Sequence, residues 1–221
     1  DYDMAKESRF RRRLTGYSPM GSGADYHYRS ESDFLKMMEL ARSIDRNDIV
    51  VGQGVTRLVD NVLQGGFKLD PDTGDAELDK ILKEKWCAWC EDADACDFAG
   101  ERDFNEIAET ALRDTVVDGD QLFIPLKSGH IETMEAHRCR TPRNTKRNVV
   151  HGVLLDEVSR KRLEYWFTKE NVDPLRQVTA VSEITPLRAR DAAGNRMVFH
   201  LHLAKRGSQT RGVSAFAPVV N

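Results

Sequence analysis

The feature that most constrains this chain is a change in the spacing of its apolar residues around Asp118-Gly119-Asp120. Before that point apolar residues recur every three or four positions, which places them on one face of a helix. After it they gather into short runs divided by turn residues, the pattern of strands. Helices followed by strands, without alternation, give an α+β chain: N-terminal helices followed by an antiparallel β-rich region.

The helical half divides into four predicted segments. Residues 33–45 place Phe34, Met37, Met38, Ala41 and Ile44 on one face, with Ser30 and Ser32 as cap candidates. The methionines are read as core, with a partner-binding face as the alternative. Residues 49–64 align Val51, Val55, Leu58, Val59 and Val62, and Gly65-Gly66 stops them. A turn at 70–74 leads to residues 76–91, where Leu78, Ile81, Leu82, Trp86 and Trp89 share a face. Residues 104–117 carry Phe104, Ile107, Ala108, Ala111 and Leu112, with Asp103 and Glu106 spaced as a capping box. Strands are expected at 121–126, 149–155, 163–168, 178–187 and 197–203, with turns at 128–129, 156–162 and 192–195. The resulting division is an arm at 1–30, a helical part at 31–118 and a β-rich part at 119–221.

The arm carries Arg11-Arg12-Arg13 and a Gly/Ser/Pro stretch at 18–23. A solvated arm is the plainer reading; contact with a neighbouring subunit or with phosphate is the functional one. The net charge of -3 argues against a tight grip on duplex DNA. No apolar run approaches the ~18 residues of a membrane helix, and no secretory leader is visible. The chain opens on Asp1, so its start is expected upstream. Cys87, Cys90, Cys96 and Cys139 are expected to be free thiols in a reducing compartment.

A search for chemistry finds no phosphate-binding P-loop, dinucleotide fingerprint or nucleophile elbow. Cys87-x-x-Cys90 has zinc-knuckle or redox spacing, and further ligands would have to come from Cys96, His137 or Cys139. It lies inside a helical stripe, so buried thiols are the favoured reading. His200-x-His202 points two imidazoles to one strand face, with no third ligand near in sequence. Glu91, Asp92, Asp94, Asp97 and Glu101 read as a solvated linker rather than as the carboxylates of a two-metal nuclease.

Several stretches, taken in order, resemble the portal proteins of lambda-type tailed phages. They are Ile44-Asp45-Arg46-Asn47-Asp48, the helix at 55–63 followed by Gln64-Gly65-Gly66-Phe67, and Trp86-x-x-Trp89. Asp94-Ala-Cys-Asp97, Gly100, Asp103-Phe104 and Asp118-Gly119-Asp120 follow, then Glu135-Ala136-His137-Arg138 and Tyr165-Trp166. The clearest piece runs from Phe199-His200-Leu201 to Gln209-Thr-Arg211-Gly212-Val-Ser214, closing on Ala217-Pro218-Val219. The departures are Gln64, Gly65 and His137. The resemblance implies a ring of usually twelve subunits at a capsid vertex, with this chain covering mostly the wing and the stem and clip lying beyond Asn221.

Such a ring passes double-stranded DNA without reading its sequence, and it works with a separate terminase and with capsid and head–tail connector proteins. The implied setting is the virion, with assembly in the host cytoplasm. No catalysis, cofactor or metal is implied. His200, Gln209, Arg211, Gly212, Ser214 and Pro218 are carried over as structural or subunit-contact residues. Gly207 and Gly212 would allow sharp bends, and Arg211 would pair across a subunit boundary or hydrogen-bond locally. The competing class is a zinc-bearing nucleic-acid module or metal-dependent enzyme built on Cys87, Cys90, His137 and Cys139. A folded prophage relic without an assembly role is a third reading.

Overall fold

The computed structural model describes residues 31–205, 207 and 209–217. The expected arm, Ser30 and Pro218 lie outside the described residues. Among the described residues five α-helices precede seven strands: α1 (Glu31–Asn47), α2 (Ile49–Leu63), α3 (Ala76–Cys90), α4 (Ala93–Cys96) and α5 (Phe104–Val117), then β1 (Asp120–Pro125), β2 (Ile131–Met134), β3 (Val149–Val150), β4 (Val153–Leu155), β5 (Arg162–Thr168), β6 (Ile184–Arg188) and β7 (Phe199–His202). The α+β order expected from the apolar spacing is the order of the fold.

Local chemistry sets the helix ends. Ser32 lies within the first turn of α1 and is not its cap, because the helix already begins at Glu31. The Asp48 side chain caps α2 by accepting from the Val50 and Val51 amides at 2.9 and 3.1 Å. Asp75 and Asp92 cap α3 and α4 in the same way. The capping box of α5 is present, with Asp103 accepting from the Glu106 amide and Glu106 accepting from the Asp103 amide. At the end of α2 the positive φ angles fall on Gln64 (25°) and Gly66 (70°), not on Gly65. Gly52 lets α1 and α2 cross closely, since a Cβ there would lie 2.7 Å from the Asp45 carbonyl oxygen.

The helical stripes are only partly used. α1 buries Phe34, Leu35, Met38 and Ala41, while α2 buries Val55 and Val59 and leaves Leu58 and Val62 exposed. In α3 the expected face is turned largely to solvent: Leu78 and Ile81 are exposed and Cys90 alone is buried. Trp86 and Trp89 pack edge-on and tilted against Phe104 of α5, at 5.4 and 5.3 Å between ring centroids.

The strands form two antiparallel sheets, ordered β2-β1-β7 and β3-β4-β5-β6. One apolar core draws on both, from Leu122, Ile124 and Met134 of the first to Val153, Leu155, Tyr165 and Phe167 of the second. β2 has no counterpart among the expected strands, because Glu132 and Thr133 dilute its apolar signal. The run at 149–155 is not one strand but a hairpin, turned at His151 (φ 46°) and Gly152 (φ 82°). The segment at 178–187 becomes strand only at Ile184, after a short 3-10 turn at Val181–Glu183.

Candidate functional site

Several of the stretches scattered along the sequence, around Asp120, Ala136, His200 and Arg211, meet at the start of β1. Asp120 is fully buried there, directly after the turn that ends α5. One carboxylate oxygen accepts from His200 Nε2 at 3.0 Å and from the Gly212 amide, and the other accepts from Arg211 Nε. Arg211 is itself 0 % exposed. Its Nη1 donates to the carbonyls of Cys139 (3.1 Å) and His151 (2.7 Å), and its Nη2 donates to that of Ala136 (2.8 Å). The guanidinium lies 5.0 Å from the Phe34 ring centroid. One side chain therefore ties together α1, both sheets and the segment at 209–214.

The surrounding residues complete this knot. Gln209 accepts from the Lys205 amide and donates to the Arg211 carbonyl, at 2.8 and 2.7 Å. The buried Ser214 hydroxyl accepts from the Phe216 amide at 3.1 Å. Gly212 works by close approach, not by a bend: a Cβ on it would lie 1.8 Å from the Gly119 carbonyl oxygen. Gly119, at φ +96°, packs back against Val213. Gly207 faces open space. Arg211 hydrogen-bonds within its own chain, which is the local alternative of the two that the sequence left open.

Electrostatics fix the protonation of the knot. Burial alone would raise the Asp120 carboxyl, but the Arg211 charge, His200 and the Gly212 amide outweigh it and hold the group well below the usual carboxylate range. Burial pushes His200 down to about 4, against the attraction of Asp120. The neutral ring donates Nε2–H to Asp120, and its Nδ1 accepts from Arg162 Nη1 at 3.3 Å. Arg162 Nη2 donates to His202 Nε2 at 3.1 Å and to the Thr210 carbonyl at 3.0 Å.

The fold thus supplies the third group that the His200-x-His202 pair lacked in sequence. Ligand atoms of Asp120, His200 and His202 lie within 4.8 Å of one another. The arrangement does not favour a cation, however. Arg211 and Arg162 already occupy the lone pairs a metal would need, and their charges would repel it. The cysteine-based set is brought together only in part: Cys96 and Cys87 lie near Cys90, but Cys139 and His137 do not join them. Cys87 is exposed and Cys90 buried at the end of α3, whereas Cys139 sits in the core between the sheets. Burial pushes the Cys90 and Cys139 thiols up to about 11, away from the thiolate that binds zinc. His137 pairs instead with Glu135 and Asn171.

The acidic linker is not one solvated loop. Asp92 caps α4, and buried Asp97 accepts from the Glu101 amide at 3.2 Å. Glu91, Asp92, Asp94 and Glu101 remain exposed.

Two recesses were not anticipated from sequence. One, of about 370 Å³, holds Arg42, Arg102, Arg113, Asp114, Asp118 and Glu135. Arg42 forks onto Asp118 at 2.9 and 2.6 Å. Burial, then the charges of Asp118 and Glu135, push the Asp114 carboxyl up to about 7. The other is an apolar groove of about 750 Å³ between α2, α5 and the outer face of β1 and β7, floored by Phe67, Phe104, Phe123, Phe199, Leu201 and Leu203. No residue type in these segments marks either recess before the chain is folded.

No curated protein matched the chain. The family model described as phage portal protein, lambda family, matches residues 10–221. The match embraces every segment that meets at Asp120 and Arg211, and on that extent the chain belongs to the lambda family of phage portal proteins.

Proposed function

We propose that this chain is a structural subunit of a ring-shaped portal, not an enzyme. In this reading it contributes to the capsid-vertex channel through which double-stranded DNA is packaged and ejected and at which head and tail are joined. Twelve copies, a separate terminase, and capsid and connector proteins are the partners this role requires. The virion, after assembly in the host cytoplasm, is its place of action.

The single observation that carries the proposal is the family match across residues 10–221. Two physical features support it. The clustered polar residues of the family motif are spent on holding the fold together, since Asp120 and Arg211 neutralise one another in the interior. The apolar groove and the exposed stripe of α3 are the kind of surface that a subunit leaves bare when separated from an assembly. No helix among the described residues is long and apolar enough to cross a membrane.

Negative-stain electron microscopy of the full-length gene product tests the proposal. Rings with a central hole are expected. Strictly monomeric particles over a range of salt and concentration would remove it.

A further inference from the structure

Two charged surfaces among the described residues lie on opposite sides of the β2-β1-β7 sheet. On the β7 side, where β5, β6 and the lead-in to β7 meet, a concavity of about 720 Å³ is lined by Lys161, Arg162, Arg188, Arg190 and Arg196. The carboxylate in its wall, Glu164, is already engaged by Arg147 Nη1 at 3.1 Å and by Trp166 Nε1 at 2.9 Å. Arg190 and Arg196 stand directly opposite one another as an isolated bridge pair. Like charges so placed are destabilising, and nothing among the described residues offsets them with an ion pair. Lys161, Arg188 and Arg196 are exposed.

The β2 side carries the opposite charge. The linker from α3 to α5 is fastened to the free edge of β2 through the Asp97–Ile131 bridge, the Phe98 amide donating to the Ile131 carbonyl at 3.1 Å, and His130 Nε2 on the Asp94 carbonyl at 3.0 Å. From that fixed base it exposes Glu91, Asp92, Asp94 and Glu101, with no ion pair to any described residue.

A closed head-to-tail ring needs two different surfaces on each subunit that complement one another. Two unneutralised patches of opposite sign, on the two sides of one sheet, meet that requirement. We propose that the basic concavity of one copy receives the acidic α3–α5 linker of the next copy of this chain; the inference rests on the portal-ring reading above. A duplex docked on the arginines would account for the basic surface but would leave the acidic one without a role. Complementary charge would steer and orient the encounter, and the contact should weaken with salt.

The test uses the full-length gene product with exposed side chains reversed in sign: Arg188→Glu with Arg196→Glu, Glu91→Lys with Glu101→Lys, and all four together. Rings are counted by electron microscopy, association is measured by sedimentation at low and high salt, and duplex DNA binding is followed by fluorescence anisotropy. Thermal melting confirms that each variant folds. Either reversal alone should weaken low-salt association at least tenfold, and the fourfold variant should recover most of it. Rings that survive both single reversals would overturn the contact while leaving the portal reading intact. Single reversals that abolish rings without recovery in the fourfold variant would overturn the pairing of these two surfaces. Loss of DNA binding with intact rings would make the concavity a phosphate-binding face instead. Wild-type chains that never associate would overturn the ring reading and the contact with it.

Discussion

At the scale of single residues, the Asp120–Arg211 pair is the position of greatest consequence. Removing one member of a buried ion pair leaves the other charge uncompensated, at a cost of about 3–5 kcal/mol. Arg211→Met should lose stability on that scale in urea unfolding, and Asp120→Asn combined with Arg211→Met should lose clearly less than the two single losses added together. Strict additivity would mean that the two side chains act separately.

Protonation adds a second residue-scale expectation. Asp114 is held up to about 7 by burial and by Asp118 and Glu135, so its folded form prefers the proton. Its destabilising effect is absent below the unfolded value near 4, grows as pH rises through 7 and then levels off. Asp114→Asn should therefore match the wild type at pH 4 and exceed it by about 1–2 kcal/mol at pH 8. His200 runs the other way, since its folded value of about 4 lies below that of the unfolded chain. Stability from its neutral form is lost as pH falls from 6.5 to 4, and His200→Gln should flatten that part of the melting-temperature profile. An unchanged slope would show that His200 is already charged in the folded state.

At the scale of elements, the meeting of α5 with the segment at 209–214 depends on two backbones packed without side chains. Gly212→Ala would drive a methyl into the Gly119 carbonyl, whereas Gly207→Ala meets open space. The first should cost more than about 2 kcal/mol and the second stay within ~0.5 kcal/mol in the same unfolding assay. Equal effects would mean that the 209–214 segment is loosely held. The capping box of α5 offers a milder case: Asp103→Ala should cost about 1 kcal/mol, because the Glu106 amide loses its acceptor.

At the scale of the whole molecule, the electrostatics argue against a bound cation at Asp120, His200 and His202. Added zinc should leave the melting temperature of the chain unchanged, and elemental analysis should find far less than one zinc per chain. A stoichiometric ion would mean that Arg162 swings away and that the three side chains serve as ligands. The proposed contact between the charged surfaces belongs to this scale as well, since it joins one copy to the next.

The sequence by itself determined the α+β order, the ends of α5 and the bounds of most helices, because those depend on short-range periodicity and on side chains that bond to the nearest backbone. Asp103, Glu106 and Asp48 act within a few residues of where they stand. The family likeness was also legible, as separate stretches in a fixed order. Tertiary structure alone decided that Gly119, Asp120, Ala136, His200 and Arg211 form one knot, because Asp120 and Arg211 stand 91 positions apart. It split the 149–155 run into a hairpin, and it left the α3 stripe largely uncovered. Periodicity records which face of an element is apolar, but what comes to cover that face is settled by long-range packing.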